Sequence, residues 1–378
     1  VGGENGVIED TFGLRDEEFW TDPWRTRKAV QRPLMQKGDE GLFIGAPRKV
    51  GLQEHATFPV AILRVCKAAR TSTIPFKETA IVAAVELNTY ELYARLAFPP
   101  VRKRPWAAGM AGAAAGKGDS FSNDETAMIS EGHTVDLAAR LGIPAAWGDY
   151  LVTVILLDQV SNRCRMQLVD SVTYEDPEVE RFFREQAAAQ LPPLCVWPQP
   201  APTLPSYTRD AASPDIPAEV GIALTVERVN VIMPECHCHL HGSFRLPVRP
   251  QHVVEPSAPP QDEVSPPRPV TAVVPIALLL TGTASPAPVL LRLAVPSYKP
   301  LDTSDDEAVA TGHFTLDLCR LVELATTPQT FFVYAFSGEV MAGPVPTAFV
   351  SIPESWKTLG GRALLKSGIV PELPRSTP

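Results

Sequence analysis

At 378 residues the chain is long enough for two or three domains, each with its own core, and 45% hydrophobic with 20% charged residues excludes an intrinsically disordered polymer. A formal net charge of −9 argues against nucleic acid as a partner, because neutralising phosphates takes a clustered basic surface. The 39 prolines, roughly twice the usual share of about 5%, exclude a bundle of long helices, since proline is confined to turns, sheet edges and linkers.

Residues 1–49 read as an N-terminal arm. Phe19, Trp20 and Trp24 stand among acids in Asp16–Trp24, followed by Arg25, Arg27 and Lys28. Such an arm is expected to dock on its own domain. Residues 50–175 read as a first domain, with strands over Thr79–Leu87, Tyr150–Leu157 and Arg165–Val169, and a short helix over Thr134–Leu141. Arg102-Lys103-Arg104 reads as a solvated loop. The Gly109–Gly118 stretch holds Gly116-Lys117, but a phosphate-binding loop needs Gly where Ala111 stands and Ser or Thr where Gly118 stands, so it is a plain loop.

Residues 176–218 form a helix and proline-rich linker. Asp176 suits the N-cap, Pro177 the first turn and Glu178 and Glu180 the positive end, while Val179, Phe182, Phe183 and Ala187 make an apolar stripe that Pro192-Pro193 ends. Residues 219–356 read as a second domain, with strands over Ile222–Ile232, Val273–Leu280, Val289–Val295, Thr330–Phe336 and Thr347–Ile352, and 357–378 as a tail. The longest apolar run, Val270–Thr281, is shorter than the about 20 residues a bilayer crossing needs, so no membrane span is expected. Six cysteines are too few for a disulfide scaffold of this size.

Three anchors recur in order and point to an internal duplication. His55-Ala56-Thr57-Phe58 is echoed by His241-Gly242-Ser243-Phe244, Arg95–Pro99 by Arg292–Pro296, and Gly132-His133 before Asp136-Leu137 by Gly312-His313 before Asp317-Leu318. The offsets differ because Pro256–Pro267 lengthens the second copy and Gly109–Gly118 the first, compositions that belong on surface loops. Residues 107–120 and 255–269 are accordingly expected to be the least ordered internal loops. The fold class is therefore mainly β: two tandem antiparallel β-sandwich domains from a duplication, with one linker helix. The plan is like immunoglobulin-type or fibronectin-type modules in architecture alone, which transfers no function.

No G-x-S-x-G, H-E-x-x-H, C-x-x-C or G-x-G-x-x-G occurs, and no catalytic residue is assigned. The repeated His133 and His313 read as backbone donors at turns, and Asp136 and Asp317 as turn or cap residues. The constellation with chemical content is Cys236-His237-Cys238-His239-Leu240-His241. On an extended strand alternate residues share a face, so His237, His239 and His241 project together while Cys236, Cys238 and Leu240 point to the other side. Three imidazoles suit Cu or Zn. The competing reading makes the cysteines and leucine core residues and leaves the imidazoles in solvent. The expected function is a non-enzymatic binding or assembly protein with no cofactor, acting through loops and the arm on a protein partner or a second copy. The alternative is a Cu or Zn metalloprotein using the histidine strand.

Overall fold

The structure is a computed structural model that describes residues 14–21, 40–67, 74–98, 128–172, 207, 209–231, 237–249, 252–253, 272–284, 288–297, 308–321 and 328–350. These residues are mainly β. A short helix α1 (Glu18–Thr21) precedes β1 (Gly41–Gly45), β2 (Lys49–Gly51) and β3 (Pro59–Lys67), then helix α2 (Phe76–Thr79), β4 (Ile81–Glu86), β5 (Leu92–Leu96), β6 (Met128–Asp136), helix α3 (Leu137–Leu141), β7 (Gly148–Leu156), β8 (Gln159–Val160) and β9 (Cys164–Val169). The second half carries β10 (Gly221–Val226), β11 (Val229–Val231), β12 (His239–Pro247), β13 (Ala272–Gly282), β14 (Val289–Ser297), β15 (Val309–Asp317), helix α4 (Leu318–Leu321), β16 (Gln329–Ser337) and β17 (Val340–Val350).

Each half contains a three-stranded sheet, β1-β3-β6 or β10-β12-β15, and a larger sheet ordered β2-β9-β7-β4-β5, with β8 on β7, or β11-β17-β16-β13-β14. One core per half joins the two sheets. Ile44, Val60 and Ile62 meet Val82, Val152, Val154 and Leu168 in the first, and Leu240, Phe244 and Phe314 meet Leu278, Leu280, Val333 and Phe349 in the second. Pairing is antiparallel except at β2–β9 and β11–β17, where a short strand lies parallel to its neighbour.

A third apolar cluster joins the halves. Ile81, Ala83, Val85, Leu92 and Ile155 pack against Ala277, Leu279, Tyr334 and Phe336 across the outer faces of the two larger sheets. This explains why residues 81–85 of β4 are an unbroken apolar run: they are buried on both faces, so the alternation of a half-solvated strand disappears. Tyr334 is fully buried and its hydroxyl donates to the Leu157 carbonyl of the other half. At the rim Arg163 donates to the Glu339 carbonyl and Arg292 pairs with Glu91 at 2.8 Å.

The pairings of the two halves run in step. Gly41 pairs with Val65 and Gly221 with Arg245, a separation of 180 residues (41 to 221, 65 to 245). Ile81 pairs with Leu96 and Ile155, while Ala277 pairs with Arg292 and Phe336, so the separation is 196 over β4 and β5 (81 to 277) and 181 at β7 (155 to 336). The hairpins after β7 and β16 both place a positive-φ residue just past the strand, Leu157 at 54° and Gly338 at 56°. At Gly338 a Cβ would come within 2.8 Å of the Tyr90 ring, and this close approach favours glycine where the first half carries Leu157.

These registers correct the sequence anchors. Arg95 and Arg292 lie on corresponding strands, but Arg292 matches Leu96, one residue along. His313 likewise matches Gly132, not His133. A one-residue slip moves a side chain to the other face, so neither pair is equivalent. His55 precedes β3 whereas His241 lies inside β12, so that echo is coincidental. His133 and His313 stand within β6 and β15 and not at turns. The strand expected over Ile222–Ile232 is two, β10 and β11, and the helix expected from Thr134 starts at Leu137 because Asp136 caps it: its carboxylate accepts from Ala138 N at 3.0 Å. The helix at 176–190, the Arg102–Arg104 and Gly116-Lys117 stretches and the loops 107–120 and 255–269 lie outside the described residues.

The described part of the arm docks on the first half. Phe19 is buried, the Asp16 carboxylate accepts from the amides of Arg48 and Lys49, and Trp20 stacks on His55 with ring centroids 3.7 Å apart while its indole N–H donates to the Thr57 carbonyl. Burial pushes the His55 imidazole down from 6.5 to about 4. Between those values the unfolded chain binds a proton that the folded chain does not, so stability falls as pH drops through that window.

Two outcomes follow from this packing. Tyr334→Phe leaves a buried carbonyl without its donor and should lower stability by about 1–3 kcal/mol in urea unfolding, with an unchanged m-value. Acidification from neutral pH towards 4 should lower the melting temperature more in the wild-type protein than in His55→Gln, and equal pH profiles for the two would refute the assignment to His55.

Candidate metal centre

The centre begins at the entry to β12. Cys238 and Leu240 are fully buried in the second core, and the alternation of the strand turns His237, His239 and His241 the other way. Cys236 lies outside the described residues. Adjacent imidazoles are 6.0 Å (His237 to His239) and 6.1 Å (His239 to His241) apart, the spacing of residues two apart on an extended chain.

The three do not converge. His239 is paired in register with Asp317, the last residue of β15, and it is His237, His239 and Asp317 whose ligand atoms all lie within 4.8 Å of one another. Asp317 Oδ1 accepts from the backbone N–H groups of Cys238 (3.2 Å) and Cys319 (3.1 Å), which caps α4, while Oδ2 faces His237 Nδ1 at 2.7 Å. His241 is engaged elsewhere: its Nδ1 lies 3.1 Å from Asp210 Oδ2 and 3.2 Å from Thr315 Oγ1. Asp210 belongs to the chain that leads into β10. That segment is tied along the same strand, with Ser243 Oγ donating to the Asp215 carbonyl at 2.7 Å and Arg245 to the Ala218 carbonyl at 2.6 Å. Of the candidate ligands, then, His237 and His239 come together, His241 becomes a fastener for residues 210–218, and Asp317 enters in its place.

Asp317 has a counterpart in Asp136, and the comparison isolates what is special. Asp136 accepts from Phe58 N at 2.9 Å and Leu137 N donates to the Phe58 carbonyl, just as Cys238 N meets Asp317 and Leu318 N donates to the Cys238 carbonyl. Burial raises the Asp136 carboxyl above its ordinary range against the pull of the capping amides. Burial acts in the same direction on Asp317, but hydrogen bonds from His237, Cys238 and Cys319 and the positive field of His237 outweigh it and hold the carboxyl below that range. Two imidazoles and one carboxylate suit Zn(II), Cu(II) or Fe(II); the thiol of Cys238 is directed into the core and is not part of the set. No family model matches the chain, and no curated protein matches it in sequence.

His241→Ala should release the fastener. Amide exchange at Ala212 and Ser213 should accelerate while the melting temperature changes by the small amount expected of a partly exposed pair, under about 1 kcal/mol. Unchanged protection at those amides would show that the segment is held without His241.

Proposed function

We propose that the chain is a non-enzymatic binding or assembly protein built of two antiparallel β-sandwich domains of one plan, spanning residues 50–175 and 219–356 and derived from an internal duplication. Shared strand order and in-step pairing support the duplication. Its separation rises from 180 to 196 past β3 and returns to 181 at β6, where Pro256–Pro267 lengthens one copy and Gly109–Gly118 the other. The observation that carries the functional reading is the apolar contact between the two larger sheets. It fixes the domains to each other, and a rigid pair presents its loops at set distances, which lowers the ordering cost of engaging a protein partner or a second copy.

The loops, together with the arm outside residues 14–21, are the parts proposed to bind. Residues 14–21 of the arm are taken up in docking on the first domain, whereas Trp147, in the loop between α3 and β7, is 61% exposed. An exposed tryptophan is the residue type most often found as an interface anchor. Trp147→Ser should leave the melting temperature unchanged and deplete a defined set of co-purifying proteins, or self-association, several-fold when purifications from the native source are compared quantitatively. Equal recovery in both would remove this loop from the proposal.

A further inference from the structure

We infer that His237, His239 and Asp317 form a divalent transition-metal site that takes Zn(II), with the remaining position open to water. The aspartate alone would not carry this, since Asp136 shows that the capping role explains a carboxylate at that place. The imidazoles are what the second half adds: with Phe58 matching Cys238, the positions of His237 and His239 correspond to Thr57 and Pro59 in the first half, neither a metal ligand of this kind. Capping therefore accounts for Asp317 and leaves the two histidines beside it unexplained.

The carboxylate is oriented before any ion arrives. Two backbone N–H groups hold Oδ1, which leaves Oδ2 directed at the imidazoles, the kind of outer support that ligating carboxylates require. His239 is fixed opposite it by the β12–β15 ladder. Zinc at about 2.0–2.1 Å from each ligand sets ligand atoms roughly 3.4 Å apart, so a cluster within 4.8 Å closes by at most about 1.4 Å while the 2.7 Å His237–Asp317 pair opens by about 0.7 Å. His237 stands ahead of β12 with half its side chain exposed and supplies that movement. Ion entry replaces the direct His237–Asp317 contact with one ligand bond to each, the imidazole carrying its N–H on the ring nitrogen that does not bind the ion.

The experiment is zinc titration by calorimetry on the full chain after chelator treatment, with the melting temperature followed in parallel. One equivalent of zinc should bind and raise the melting temperature. His239→Ala and Asp317→Asn should each weaken binding at least tenfold and abolish that rise, while His241→Ala should bind within about threefold of wild type. Asparagine retains an oxygen for the cap, and His237→Ala, which lies outside the strand, serves as a second variant if either of the others fails to fold. Magnesium, which prefers oxygen-only sites, should not bind. Absence of saturable zinc binding at micromolar concentrations would overturn the inference, as would equal binding of magnesium or a loss in His241→Ala matching that in Asp317→Asn.

Discussion

The apolar contact between the outer faces of the two larger sheets is the constraint on which the rest of the molecule depends. A β-sheet with one face on a core ordinarily turns the other to water, and its strands alternate accordingly. Here the central strands β4 and β13 cannot alternate, because Ile81, Ala83 and Val85 on one side and Ala277 and Leu279 on the other meet across the junction while Val82, Ala84, Leu278 and Leu280 fill the cores. Each three-stranded sheet packs one face on its own core, across from this junction, and leaves its other face for different neighbours. The histidine strand belongs to one of these sheets, and so does the first-half cluster of Phe43, Ala61, Leu63 and Val65.

This also decides what could be read from the sequence. Strands buried on both faces announce themselves as continuous apolar runs, and β4, β7, β13 and β16 were legible on that ground. The three-stranded sheets were mostly not. β6 holds Ser130, Gly132 and His133 and β12 holds Gly242 and Ser243, residues that read as turn material, yet the ladder places them mid-strand. Gly242 is there because a Cβ would strike the Phe314 ring of the neighbouring strand at 2.1 Å, a reason that exists only across strands. The strand order that the two halves share was legible in the ordered anchors, whereas their register was not. Matching identical residues, Arg95 with Arg292 and His133 with His313, rewards identity where the fold conserves facing, and each match is wrong by one position.

The candidate centre divides in the same way. The alternation Cys238, His239, Leu240, His241 needs only the period of a strand, so the sequence sufficed to place the thiol inside and the imidazoles outside. Which atoms meet them is a matter of pairing partners distant in sequence. Asp317 comes from a strand end nearly eighty residues away, and Asp210 from a segment that reads as linker. No local pattern links these acids to the histidines, so the carboxylate that lies beside His237 and His239 is found only through the β12–β15 register.

The corresponding outward faces of the two halves then differ for a physical reason. At matching positions β3 presents Ala61, Leu63 and Val65, whereas β12 presents His241, Ser243 and Arg245. The polar set meets the segment 210–218 through its backbone carbonyls and the Asp210 carboxylate, groups that require donors and cannot be laid on an apolar surface without cost. Histidine, serine and arginine at alternate places supply those donors at the spacing of the strand. Because His239 lies next in the same series, the strand that fastens the incoming chain also carries the imidazole facing Asp317. The polar character of this face thus has one origin, the need to hold residues 210–218, up to His241. Beyond it, at His239 and His237, that need has ended, and it is there that the histidines converge on an oriented carboxylate.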